Sequence, residues 1–144
     1  MRCRRHPDPE RGSAVIEAVI GVPAFILFVA LIVFAGRVAI AHQAVQSAAS
    51  DAARSASIAR TQGGAHTAGN TAAATSLANQ HVNCVTATVK VDTSGFASPV
   101  GTPAKVNATV TCHVNLSDLW LPGVHGSKAI TATMSSPLDT YRER

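Results

Sequence analysis

Aromatic side chains are scarce in this 144-residue chain, at 4%, and charged ones make up only 14%. No run of Lys and Arg interleaved with aromatics occurs, so the formal net charge of +4 does not point to nucleic acid. Phosphate-cradling glycine loops and a G-x-S-x-G nucleophile elbow are both missing, which argues against an enzyme. Past residue 36 there is little Leu, Ile or Phe. The 47% hydrophobic content rests heavily on 26 alanines. A large water-soluble globule with a thick core is excluded by that distribution.

What the chain does have is one apolar block. Ala18 to Gly36 (AVIGVPAFILFVALIVFAG) carries no charge in 19 residues. As a helix it measures roughly 28 Å, about the hydrocarbon thickness of a bilayer. Arg2, Arg4, Arg5 and Arg11 precede the block, and only Arg37 follows closely. The positive-inside bias then places the amino terminus in the cytoplasm and the rest outside. A cleaved secretory signal fits poorly, because the block exceeds an h-region of about 7–15 residues and no A-x-A site follows it.

The residues ahead of the block read Arg11-Gly12-Ser13-Ala14-Val15-Ile16-Glu17. A carboxylate at the edge of an apolar helix is costly in lipid and is a functional candidate for that reason. A cut between Gly12 and Ser13 makes Glu17 the fifth residue of the mature chain, the arrangement of type IV pilin-like precursors. The plainer reading is that Glu17 snorkels at the interface. Pro23 removes one helical hydrogen bond and kinks the helix, either as a tolerated irregularity or as a packing device.

RGSAVIEAVIGVPAFILFVALIVF resembles the amino terminus of TadE-like proteins, minor pseudopilins of the tight-adherence (Flp-type) pilus system. Arg11-Gly12, Ser13-Ala14, Ile16-Glu17 and Pro23 carry the resemblance, with Ile16 and Ala18 departing from the usual Val and aromatic. It implies a pilus assembly subunit, cleaved by a prepilin peptidase, with Glu17 meeting a neighbouring subunit's terminal amine to set helix register. Other pilins or pseudopilins, Tad membrane assembly components and the lipid bilayer are the implied partners, with no cofactor. The competing reading is an unprocessed, single-pass anchored binding module with Trp120 as a partner contact.

The expected fold class is α+β: a transmembrane helix continuing into an Ala-rich helix, packed on a small antiparallel sheet. The expected segments are a cleaved leader over 1–12, a span over 13–37, an Ala-rich helical region over 38–80 and a β domain over 81–144. Val38, Ala41, Val45, Ala48, Ala52, Ala56 and Ala59 recur at helical spacing. That stripe suits packing against other copies or against the chain's own sheet. Gly63, Gly64 and Gly69 read as a break, with a second helix from about Asn70 to Gln80. Period-two alternation then marks three strands: Val85-Ala87-Val89-Val91, Val106 to Leu116, and Ile130-Ala132-Met134.

Of three cysteines, Cys3 falls in the leader. Cys84 and Cys112 form an even pair, for which a disulfide is the expectation in an exported domain. Cys84 has the parity of the polar face of its strand, so the bridge requires a strand start after Cys84 or a bulge. A zinc site from His81, Cys84, Cys112 and His113 is disfavoured, because adjacent strand residues point to opposite faces. No metal ligand set is assigned.

Overall fold

The computed structural model describes residues 10–115 and 126–141, with the side chains of 10–14 outside that description. Residues 1–9 with Cys3, and residues 116–125 with Leu116 and Trp120, therefore lie outside the described residues. The chain divides after Gly36 into two compact units.

Helix α1 spans Glu10–Ser57. Within the first unit its apolar side chains have no protein cover: Val19, Ile20 and Phe25 are each 67% exposed. An apolar surface of this size on an isolated helix needs a non-aqueous partner. α1 is the one described helix long and apolar enough to cross a membrane, and it fits a single-pass anchor.

The second unit contains the rest of α1, helix α2 (Gln62–Asn79) and strands β1 (Cys84–Asp92), β2 (Lys105–Asn115) and β3 (Ser127–Pro137). The strands form one antiparallel sheet in the order β1-β2-β3. The architecture is α+β, with α1 and α2 on one sheet face. Alanine makes that packing close. Ala41, Ala44, Ala48, Ala49, Ala52, Ala53 and Ala56 of α1 are all buried. Ala41, Ala48, Ala49, Ala52 and Ala53, together with Val45, meet Ala73 and Leu77 of α2, Ala108, Val110 and Cys112 of β2, and Ile130 and Ala132 of β3. The small-residue stripe thus covers the chain's own sheet. A second cluster at the other end gathers Ala56, Ala65, Val91, Phe96, Val106 and Leu138.

The opposite sheet face is polar, as strict alternation requires. Thr109 pairs with Thr133 (2.9 Å) and Thr111 with Thr131 (3.0 Å) through their hydroxyls. Cross-strand threonine pairs of this kind steady a sheet. β3 extends beyond the expected Ile130–Met134 at both ends, because its whole length is registered on Lys105–Asn115.

The expected break at Gly63, Gly64 and Gly69 does not occur. α2 starts at Gln62 because Thr61 caps it, its hydroxyl accepting from the Gly64 N–H at 3.1 Å. Gln62 and His66 then anchor the first turns on Thr93, through its carbonyl (3.3 Å) and hydroxyl (3.2 Å) respectively. Gly69 is used for close approach, where the helix propensity cost is offset by packing. A Cβ there would stand 2.8 Å from the Val91 Cγ2 and 3.3 Å from the Ala52 carbonyl oxygen. Val91 is buried and branched, so it cannot swing aside. Gly69→Val should therefore destabilise the second unit by about 1–3 kcal/mol, the usual cost of overpacking a core. Denaturant melts of variant and parent check it; an unchanged midpoint would mean the α1–α2–β1 crossing is looser than described.

Candidate functional site

The chemistry-bearing residues fall into two groups, one on each unit. On the first unit, Gly12 and Ser13 occupy the opening turns of α1. Glu17 follows one helical turn later and is exposed. Residues four apart on a helix share a face, so Glu17 lies on the side of α1 that carries Ser13. Pro23 sits inside α1, which continues through it. The missing N–H leaves the Val19 carbonyl without its intrahelical donor. Val15, Ala18, Val19, Val22 and Pro23 line a shallow apolar groove beside that position.

On the second unit Cys84 and Cys112 are joined by a disulfide, with Cα atoms 5.4 Å apart. Parity forbids this in a regular ladder, and the ladder is not regular there. Cys84 pairs with Val114 and Thr86 with His113, so Val85 is an extra residue in β1. Such a bulge turns Cys84 toward the helix-covered face. It also overturns the expected inward position of Val85, whose side chain is 62% exposed. Cys112 is fully buried, whereas Cys84 is half-buried. Trp120, the candidate partner contact, lies outside the described residues.

Sequence reasoning passed over Asp92, which ends β1. Its carboxylate accepts the Ser94 N–H at 3.0 Å and the Asn107 side-chain amide at 3.5 Å. These bonds, the backbone one first, hold its pKa below the ordinary 3.8. A lowered carboxylate value adds stability that is present above 3.8 and is lost as pH falls through the folded value. Asp92→Asn should flatten this part of the acid limb, giving a smaller drop in melting temperature on acidification than the parent shows. An equal drop in both would remove Asp92 from the acid response. Its role is to fix the turn into the 3-10 segment Ser94–Ala97. There Gly95 is required, because a Cβ would collide with the Lys105 carbonyl. Among the described residues no three His, Cys, Asp or Glu side chains converge.

No curated protein and no solved structure gives a significant match to the chain. The family model described as TadE-like protein matches residues 12–54, taking in Gly12, Ser13, Glu17, Pro23 and the alanine stripe of α1 as far as Ala52. The resemblance drawn on the amino-terminal motif thus holds, and it suggests a Tad pilus-associated protein. Over residues 12–54 the chain is similar to the TadE-like family.

Proposed function

We propose that the chain is a structural and assembly subunit, a minor pseudopilin in the biogenesis of a Flp/Tad-type pilus used in adhesion. A prepilin peptidase removes leader residues 1–12, freeing the Ser13 amine. The span over 13–37 stays in the membrane, with the amino terminus cytoplasmic and the disulfide-bearing unit outside. One observation carries this reading. Within the TadE-like stretch, Glu17 stands four residues after Ser13 and directly before 19 charge-free residues.

An ion at the edge of a spanning helix is tolerated when it is paired. The amine created at Ser13 is a cation at the right depth for a neighbouring copy's Glu17, or that of a related pilin. The pairing would fix the stagger between adjacent helices, a geometric task that lipid alone cannot perform. The flanking charges support the orientation, since four arginines precede the span. The disulfide supports an oxidising location for the second unit.

The test is the intact mass and amino-terminal sequence of non-reduced protein extracted from membranes that contain the cognate peptidase. The expected species begins at Ser13 and is two hydrogens lighter than its sequence mass. A chain that retains residues 1–12 would overturn processing and favour the permanently anchored binding module.

A further inference from the structure

Two cations of the second unit, far apart in sequence, stand at the end where the chain leaves the apolar block. Arg37 directly follows Gly36, the last residue of that block, and is exposed. The fold closes around α1 at once, with Val38 half-buried and Ala41 buried. The body of the second unit is therefore tied within about one helical turn, ~5 Å, of the end of the block. This holds at any angle between the two units. At the far end of α1 the hydroxyls of Ser57 and Ser136 meet at 2.9 Å, which seats its last turn beside the end of β3. Ala41 shares a core cluster with Cys112 and Ile130, and Ala56 shares the other with Val106 and Leu138, so α1 runs along the strands. Back from the serine contact, Ala41 lies about 24 Å along α1 and Lys128 about 26 Å along β3. Lys128 thus stands level with Ala41. It is exposed, and it has the parity of buried Ile130 and so the helix-covered face. The row Cys84–Val114–Lys128 crosses the sheet at this level. Val85, beside Cys84, and Ile40 of α1 leave apolar side chains 62% and 64% exposed there. No described carboxylate of the second unit is near. Asp51 follows Arg37 by about 21 Å along α1. Asp92 pairs with Asn107, and Asp139 follows β3, both at the opposite end of the sheet. Asp118 lies outside the described residues.

We propose that Arg37, Lys128, Ile40 and Val85 form a docking surface for the bilayer that holds α1, with the two cations on anionic phospholipid headgroups. The surface is continuous with the span, since Arg37 is the next residue after the charge-free block. A Lys or Arg at an anionic membrane surface gains roughly fivefold in occupancy. Two such contacts would hold a free protein poorly. Here the anchor removes the need for a separate encounter, so the same two contacts suffice to bias the orientation of the second unit. Ile40 and Val85 add apolar contact at the headgroup boundary, where such side chains are favoured over water. Docking holds the disulfide end of the sheet against the bilayer and turns the end carrying Asp92 and Asp139 away from it. The inference rests on α1 spanning a bilayer, and not on leader cleavage or a pilus role.

The experiment uses the full chain, disulfide intact, in vesicles of phosphatidylcholine alone or in an equal mixture with phosphatidylglycerol. Carbonate-resistant retention in both vesicles establishes the span separately. Brief reductive methylation with formaldehyde and cyanoborohydride is read peptide by peptide at low salt. The chain's other lysines, Lys90 and Lys105, serve as references within the same molecule. Relative to them, Lys128 should react at least threefold more slowly in the anionic vesicles, and high salt should remove the difference. Arg37→Gln should restore most of the Lys128 reactivity, because both cations hold one surface. A bare surface potential would instead slow Lys128 equally in the two chains, and that result would overturn docking. So would a Lys128 ratio that is the same in both lipids, the result expected if Asp118 already pairs with Lys128. Inorganic phosphate added to phosphatidylcholine vesicles should give no protection; protection by it would overturn the lipid as the ligand.

Discussion

Replacing Cys84 by serine should lower the stability of the second unit by about 3–4 kcal/mol, the chain-entropy value for a closed loop of this length. Cys112→Ser should cost more. Both variants lose the bond between residues 28 apart in sequence. Only the second places a hydroxyl in a fully buried position among Ala108, Val110, Ile130 and Ala132. A hydroxyl left without a partner in such a site adds roughly 1–3 kcal/mol. For a unit of 108 residues, the entropic part alone corresponds to a fall in melting temperature of about 15–20 °C. Calorimetric melts of the two variants, beside the parent with and without reductant, separate the two contributions. Reductant should bring the parent to the level of Cys84→Ser and leave Cys112→Ser below both. If the two variants melt together, the Cys112 site is wetter than its burial implies. If neither differs from the oxidised parent, the alanine-rich core holds the unit without the bridge.

That dependence follows from how the core is built. Alanines fill much of the interface between helices and sheet, and each buries little apolar area, so the usual hydrophobic contribution per residue is small. Close approach compensates in part, and it explains what the sequence hid. In isolation Gly63, Gly64 and Gly69 read as helix breakers, since glycine is among the poorest helix formers. Gly63 and Gly64 are tolerated behind the Thr61 cap, and Gly69 by its close approach to Val91 and Ala52, which lie far from it in sequence. The strands were legible because alternation is a local property with period two. The bulge at Val85 was legible only as a contradiction between parity and the expected bridge. A covalent bond to a distant residue decided it. The outer residues of β3, Ser127, Lys128 and Pro137, show no strand preference of their own and are held by registry with β2. In the first unit the situation is reversed. Gly12, Ser13, Glu17 and Pro23 stand out in the sequence because each violates what an apolar helix prefers. The fold adds that α1 runs through all four.

Glu17→Ala should abolish pilus assembly while leaving membrane insertion and cleavage after Gly12 intact. The two effects pull in opposite directions, which makes the variant informative. Alanine removes an ionisable group from the edge of the span and so makes the helix easier to insert; acidic residues oppose insertion by up to about 3 kcal/mol at the bilayer centre and by less at the edge. A defect in assembly therefore cannot be traced to a poorer anchor. Glu17→Gln keeps the length and hydrogen-bonding capacity of the side chain but not its charge. It should fail as Glu17→Ala does if an ion pair with a neighbour's Ser13 amine sets the register. Partial assembly by Glu17→Asp would agree with that account, since the charge remains and only its reach shortens. The measurements are surface pili counted by electron microscopy, at least tenfold fewer in the Ala and Gln variants, and carbonate-resistant membrane fractionation, unchanged in all. Normal piliation by Glu17→Ala would remove the charge pair from the mechanism. Failure of Ala with success of Gln would replace the ion pair with a hydrogen bond, which a neutral side chain can supply across the same gap.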